Sequence, residues 1–351
     1  MRVGIFLPNW IGDTVMATPT LRALARHWGP GTEILGVMRP VMADLLAGTP
    51  WITEPLFYDP RSKKPEQRTW SVIKKLRQAK LDKIVLLTNN IRSAGMAWLS
   101  GARERIGYAK YGRGPLLTRA LEYPQVSQAK CRVTAFATVD FYLQLAYAAG
   151  CSPESPRLEL ATSTTDEAAA HRVWQKFGLG KKVVAFNCSG AFGAAKLWPV
   201  EHFAALARKV ATTTDHDVLV ICGPSEQQIA ADIVRQAGVP RVYSLAEEKL
   251  SIGLSKACVR RSQLMVSTDS GPRHFAVAFG VPIVGLFGPT PPIWGRNPTA
   301  RETPMELSLD CSGCHRRVCP LGHHRCMKDL GVEPVFAAVQ AWLQPARKAA
   351  A

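Results

Sequence analysis

Three short stretches carry residue types that could do polar chemistry, and each follows an apolar run that reads as a β-strand. After Arg2–Leu7 come Asn9, Trp10, Gly12 and Asp13. After Lys182–Asn187 comes Cys188-Ser189-Gly190-Ala191-Phe192-Gly193-Ala194-Ala195-Lys196. After Leu264–Ser267 comes Thr268-Asp269-Ser270-Gly271-Pro272, with His274 close behind. An Asp at a helix start is stabilised in its ionised form by the dipole, so Asp13 can accept a proton as a general base. It can equally serve as a helix cap, the commoner use of such an Asp. Gly190 and Gly193 let backbone N–H groups approach a phosphate, and Lys196 adds a point charge. The turn at Thr268–Gly271 leads into Pro272 at the first helical position, where its missing N–H costs nothing. Such a turn exposes amides and the positive end of a dipole to an anion, although an ordinary strand–helix–strand unit reads the same way. Glu226, in the loop after Val218–Cys222, can cap its helix or meet ribose hydroxyls.

Other patterns fail on position. The 188–196 loop lacks Walker A spacing, and no GxGxxG follows a strand, which argues against a dehydrogenase. Asp215-His216-Asp217 has the look of a metal-binding DxD but precedes its strand, at the wrong edge of a parallel sheet. Cys311, Cys314, Cys319 and Cys326 form C-x2-C-x4-C-x6-C with His315, His323 and His324 among them. Four soft ligands on a short loop can hold a structural Zn²⁺, but the gaps depart from paired knuckles and free thiols are the preferred reading. A disulfide is the least favoured in a cytoplasmic protein. Cys131, Cys151, Cys188, Cys222 and Cys258 are scattered, several within apolar runs, and read as small core residues.

The elements that must position these residues alternate strand and helix. Strands at Glu33–Val37, Pro55–Tyr58 and Lys83–Leu87 are separated by helices at Val41–Ala47 and Trp70–Gln78, with Ile91–Leu99 next. A helix also follows the first strand to about Trp28, either kinked or newly capped at Thr18-Pro19. The pattern weakens between Lys110 and Pro124, and Lys130–Ala149 reads as a long helix. Gly150–Glu167, rich in Pro, Ser and Thr, marks a domain boundary. The alternation then restarts through Val200–Ala211, Glu226–Ala237, Arg241–Ser244 and Ile252–Arg260, and a helix at Val335–Leu343 closes the chain. At 351 residues two domains of about 150 residues each are expected. The pattern predicts α/β halves with doubly wound parallel sheets, whose ligands bind beyond the carboxyl ends of the strands.

Composition narrows the class. Hydrophobic residues make up 47% and charged residues 20%, as in a soluble globular protein. The opening MRVGIFLPNW is too short an apolar run for a signal peptide. The longest run, Phe275–Gly288, is too short and too interrupted to span a bilayer. A cytoplasmic protein is expected. The net charge is +17, and Arg61–Arg132 holds 17 basic against 4 acidic residues, so about +13 of the excess lies there. Such a surface attracts nucleic acid, anionic lipid head groups or a phosphorylated substrate. No nucleic-acid-binding module is recognisable in the region, so nucleic acid is not the expected partner.

With these residues in hand, the chain resembles a lipopolysaccharide heptosyltransferase of glycosyltransferase family 9, nearest the heptosyltransferase II branch. The resemblance covers essentially the whole length. It rests on Asn9-Trp10-Ile11-Gly12-Asp13 with Met16-Ala17-Thr18-Pro19, on Ser189-Gly190-Ala191 through Lys196-Leu197-Trp198-Pro199, and on Thr268–Pro272 with His274. Cys319-Pro320-Leu321-Gly322-His323-His324-Arg325-Cys326-Met327 also looks like that branch. The resemblance implies a GT-B architecture, two Rossmann-like domains facing across a cleft. Residues 1–160 would bind the acceptor, residues 161–334 would bind ADP-heptose, and residues 335–351 would form a helix packing back on the N-terminal domain, plus a tail.

By the same resemblance Asp13 is the base that deprotonates an acceptor heptose hydroxyl, which displaces ADP with inversion. Lys196 and the amides at Ser270–Gly271 would stabilise the departing pyrophosphate. Asp269 would contact the donor heptose, Ser189 and His274 phosphate, and Glu226 the ribose, with Gly190 and Thr268 in the donor loops. Asn9, Trp10 and Gly12 would form the acceptor-side loop. Arg273 stands where a smaller or apolar residue is commoner. No cofactor is implied for catalysis. The implied acceptor is lipid A carrying inner-core sugars, which suits a basic N-terminal half and peripheral attachment to the inner face of the inner membrane. The alternatives are a family 9 enzyme with another donor or acceptor, a GT-B-fold nucleotide-sugar epimerase, and a polyanion-binding protein.

Overall fold

The computed structural model describes residues 1–124, 128–129, 132–133, 136–190 and 192–344. Cys131, the expected helix start at Lys130, Ala191 and the expected tail from residue 345 lie outside them. The chain divides into two compact units, Met1–Val126 with Phe136–Ala161, and Ser127–Ala135 with Thr162–Ala351. The main division at Ala161 falls inside the expected boundary segment.

The first unit is a parallel sheet of β1 (Arg2–Phe6), β2 (Glu33–Met38), β3 (Glu54–Phe57), β4 (Lys83–Leu86), β5 (Glu104–Ala109) and β6 (Arg119–Glu122). The order is β3-β2-β1-β4-β5-β6. Ile5 of the central strand sits opposite Gly36 on one side and Val85 on the other. Its helices are α1 (Ile11–Met16), α2 (Thr18–Trp28), α3 (Pro40–Leu46), α4 (Thr69–Gln78), α5 (Ile91–Leu99) and α6 (Thr138–Ala148). Of the two alternatives at Thr18-Pro19, a kink or a new start, the structure has the new start: α1 stops at Met16 and α2 begins at Thr18 with Pro19 in its first turn, where a proline is tolerated. α4 and α5 bury Val72, Ile73, Leu76, Ala94, Met96 and Ala97 in one cluster with Phe6, Ile84 and Leu86 of the sheet.

A short hairpin, β7 (Gln128–Ala129) and β8 (Arg132–Val133), precedes α6. The second sheet contains β9 (Val183–Asn187), β10 (Asp217–Ile221), β11 (Val242–Ser244), β12 (Leu264–Thr268), β13 (Ile283–Leu286) and β14 (Glu302–Met305). Its order, β11-β10-β9-β12-β13-β14, repeats that of the first. Every residue of β9 is buried, as expected of a parallel strand covered on both faces. Its helices are α7 (Thr164–Phe177), α8 (Val200–Thr213), α9 (Gln227–Ala237), α10 (Ile252–Arg261), α11 (Arg273–Phe279), α12 (Arg325–Lys328) and α13 (Val332–Leu343). Phe186, Phe203 and Phe275 are fully or almost fully buried, each contributing on the order of 2–3 kcal/mol.

α13 buries Val335, Phe336 and Val339 against α8, β12 and β13, and Trp342 Nε1 donates to Thr303 Oγ1 of β14 at 3.0 Å. Its apolar stripe thus meets elements of the second unit. Of the scattered cysteines, Cys151, Cys188, Cys222 and Cys258 are buried, as expected.

Candidate active site

In the first unit, β1 delivers its chain to a loop whose tip, Asn9-Trp10, is exposed. Trp10 occupies the N-cap of α1 without a side-chain cap bond, and Gly12 and Asp13 lie in the first turn. Asp13 Oδ1 accepts a hydrogen bond from Tyr142 Oη of α6 at 3.2 Å. Burial first, then the charge and the hydrogen bond of Asp13, push the Tyr142 hydroxyl well above its ordinary value, so it remains a donor. Nothing in the sequence marks Tyr142, which sits in an apolar helix. Thr14, behind Asp13, is buried and donates to Pro8 O at 3.2 Å, fixing the loop to the helix start.

In the second unit, β9 and β12 are neighbours, so the loops at their carboxyl ends meet. Asn187, the last residue of β9, donates through Nδ2 to Ser267 Oγ at 2.9 Å and Ser270 Oγ at 2.6 Å. Thr268 Oγ1 donates to Ser189 O at 2.5 Å. Lys196, closing the 3₁₀ turn Ala194–Lys196, donates through Nζ to Asp269 Oδ2 at 2.6 Å and to Asp269 O at 2.9 Å. The structure therefore brings Ser189, Lys196, Thr268, Asp269 and Ser270 into one bonded cluster. A Cβ at Gly190 would lie 2.5 Å from Leu197 Cδ2, so a larger residue there would have to displace that side chain.

Behind Asp269 lies a pairing that sequence reasoning missed. Arg273 is fully buried and holds both carboxylate oxygens of Glu302 at 2.8 and 2.7 Å. Its Nε stands 3.6 Å from Asp269 Oδ1. Arg273 thus faces inward onto carboxylates, not toward a ligand. Burial opposes ionisation of Asp269, but Lys196 and then Arg273 outweigh it and hold the carboxyl below 3.8. His274 is buried, and burial followed by the Arg273 charge keeps its imidazole well below 6.5, hence neutral at pH 7. Its Nδ1 has no hydrogen-bond partner among the described residues. In the Ser270-Gly271 turn the described backbone bonds use the carbonyls, which accept from Arg273 and His274, and leave the two amides out.

Glu226 is nine-tenths buried and closes its own turn, accepting from Gly223 N at 3.1 Å and Ser225 Oγ at 2.8 Å. Its carboxylate thus caps the turn Pro224–Glu226. Asp217 starts β10 and pairs with Arg241, which places Asp215-His216-Asp217 at the amino edge, away from the site, as expected. The segment from Cys311 to Cys326 packs onto the 188–196 loop. Ala195 N donates to Arg317 O at 3.0 Å, and the His324 Nε2 to Ala195 O distance is 2.8 Å. His315 stacks on Trp294 at 5.2 Å and 16°, and leans on Phe192 at 5.2 Å. Burial, with help from Lys196, lowers the His315 imidazole. Cys326 is pushed up to about 11 by burial and then by Cys314, Cys311 and Cys319. No group of three or more His, Cys, Asp or Glu among the described residues is arranged to hold a metal ion, and the four thiols are free.

The sequence pattern of glycosyltransferase family 9 (heptosyltransferase) matches residues 69–325. Lipooligosaccharide heptosyltransferase 2 of Campylobacter jejuni subsp. jejuni serotype O:2 is 32% identical over 163 residues, 45% of this chain and 50% of that protein. The chain thus spans about half the length of that relative. Lipopolysaccharide heptosyltransferase 2 of Escherichia coli K12 is 23% identical over 366 residues, covering 98% of this chain and 99% of that protein. The solved structure of E. coli ADP-heptose LPS heptosyltransferase II superposes with a TM-score of 0.76 at 21% identity, covering 98% of each chain. The two six-stranded units share the GT-B-like α/β fold of that structure.

Proposed function

The chain belongs to glycosyltransferase family 9, and on that premise we propose that it moves heptose from ADP-heptose to a heptose of a lipopolysaccharide inner core, with inversion. The observation that carries this reading is the cluster at the carboxyl ends of β9 and β12. There Lys196, the unpartnered His274 Nδ1 and the Ser270 and Gly271 amides offer a diphosphate one cation and several donors. Asp13, in the first unit, takes the proton of the acceptor hydroxyl. The oxygen forms its bond to the anomeric carbon as the bond to the β-phosphate oxygen breaks, and ADP leaves with the electron pair. Tyr142 positions the Asp13 carboxylate for that transfer.

Asp269, held between Lys196 and Arg273, would accept a hydroxyl of the donor sugar. In this reading Lys196 and the turn amides stabilise the leaving group and no cofactor is required. No helix among the described residues is long and apolar enough to cross a membrane. With a lipid-borne acceptor, the protein would work peripherally on the cytoplasmic face of the membrane.

The test is ADP release from ADP-heptose with and without a defined inner-core acceptor. Release that depends on the acceptor supports the proposal, whereas donor turnover without acceptor would favour epimerase-type chemistry. An Asp13→Asn protein should bind ADP-heptose normally and lose on the order of 100-fold or more in kcat. Near-full activity in that protein would remove Asp13 from the mechanism.

A further inference from the structure

The parallel topology of the first unit puts every loop that follows a strand on one edge. Four of its exposed large apolar side chains lie at that edge. Trp10 (50% exposed) follows β1, Trp70 (75%) opens α4 after β3, Ile91 (57%) opens α5 after β4, and Tyr111 (70%) follows β5. Isolated exposed apolar residues need no explanation, but four on separate loops along one rim do. The same loops carry cations. Arg61 and Arg92 are exposed and make no ion pair among the described residues. Arg39 follows β2, and Lys110 lies over the Tyr111 and Tyr123 rings at 5.0 and 3.6 Å. Asp13 stands on this rim too, at the end of β1.

We propose that this carboxyl rim of the first unit, with Trp10, Trp70, Ile91 and Tyr111 as its apolar contacts and Arg61 and Arg92 as its cationic ones, is a docking surface for an anionic bilayer. Trp and Tyr settle at the level of lipid head groups because each joins a large apolar ring to a polar tip. Arg beside them meets lipid phosphates. Charge complementarity selects this occupant, since an apolar protein partner would not call for the free cations. The inference deepens the reading of a membrane-borne acceptor, as the rim that meets the bilayer also holds the base. Its test uses neither donor nor acceptor, so its failure and that of the transferase reading are separable.

The full-length protein should co-sediment with vesicles of equimolar phosphatidylcholine and phosphatidylglycerol, and far less with pure phosphatidylcholine. Each cation near an anionic leaflet strengthens binding about fivefold. Arg61→Gln with Arg92→Gln should therefore weaken it on the order of tenfold or more, with a reduced salt dependence. Trp70→Ala with Ile91→Ala should cost on the order of tenfold. Trp98→Ala is the control: Trp98 is 54% exposed but lies at the far end of α5, and its loss should leave binding unchanged. Melting curves of the variants, expected to match that of the parent, separate lost docking from lost folding. Equal binding to both vesicles, no binding to either, or an equal effect of Trp98→Ala would overturn the proposal. Preference for a single-stranded RNA over the anionic vesicles would overturn it as well.

Discussion

Lys196→Met tests whether the lysine at the end of the 188–196 loop serves the reaction or only the fold. Lys196 and Asp269 are 11% and 13% exposed and meet at 2.6 Å. Severing a buried pair costs about 3–5 kcal/mol when the remaining charge is stranded. Asp269 is not stranded, because Arg273 stays 3.6 Å away. The cost should fall to that of one charge-assisted hydrogen bond, about 1.5–3 kcal/mol. For a unit of this size each kcal/mol moves the melting temperature by about 2–4 °C, so a drop of roughly 3–12 °C is expected by calorimetry. The kinetic effect should be separate and larger. One preorganised donor at developing charge is worth about 2.7–4 kcal/mol, or 10²–10³ in rate. Since Lys196 must first loosen from Asp269 to meet a diphosphate, the lower end applies, on the order of 100-fold in kcat/KM for ADP-heptose. Steady-state ADP release reads it directly. If the melting temperature falls as worked out but kcat/KM stays within about threefold, Lys196 is a clamp on Asp269 and the leaving-group role is wrong.

Tyr142→Phe removes the hydroxyl that donates to Asp13 while keeping the ring; kcat should fall on the order of tenfold with KM for ADP-heptose unchanged. Unchanged kcat would make Tyr142 a packing residue only. Arg273→Met leaves Glu302 without its bidentate partner and should destabilise the protein by about 3–5 kcal/mol, read in chemical denaturation; a loss below about 1 kcal/mol would mean that Glu302 finds another partner. Asp269, with its carboxyl held below 3.8, contributes stability that is fully present above that pH and lost as pH falls through the lower folded value. The melting-temperature gap between the parent and Asp269→Asn should therefore be constant above about pH 4 and close at more acidic pH; a gap that widens on acidification would contradict the ionised assignment.

The alternation of apolar runs made both sheets legible, because a parallel strand covered on both faces has to be continuously hydrophobic, as Val183–Asn187 is. Three strands escaped it: β5 (ERIGYA), β6 (RALE) and β14 (ETPM). These lie in the outer parts of their sheets, where Arg105, Arg119 and Glu302 can reach partners instead of needing an apolar layer. The same distinction runs through the site. Asp13, Lys196 and the Thr268–Gly271 turn could be found because loop ends after strands restrict where polar chemistry can lie. Tyr142 and Glu302 could not, since each meets its partner only through tertiary packing, across 129 and 29 residues of chain.

Arg273 shows what that missing partner changes. In sequence it is a cation two residues from a predicted anion site and invites a phosphate. In the structure it belongs to a buried chain of Lys196, Asp269, Arg273 and Glu302, two cations and two carboxylates. Such a set is already balanced, so an arriving diphosphate finds no spare guanidinium. The His274 imidazole beside it is neutral. From this set the positive field then comes from Lys196, the one of its two cations that is not fully buried, and beside it from the turn amides. Within this set, charge is drawn toward a leaving group by loosening Lys196 from Asp269. If Asp269 simultaneously accepts a sugar hydroxyl, its loss of the lysine is compensated, and the two events would be coupled through one carboxylate. An Asp269→Asn protein, with no carboxylate to hold the lysine, should on this reasoning bind ADP alone at least as well as the parent while losing discrimination for the sugar. Isothermal titration with ADP and with ADP-heptose would show it, and equal losses for both ligands would break the coupling.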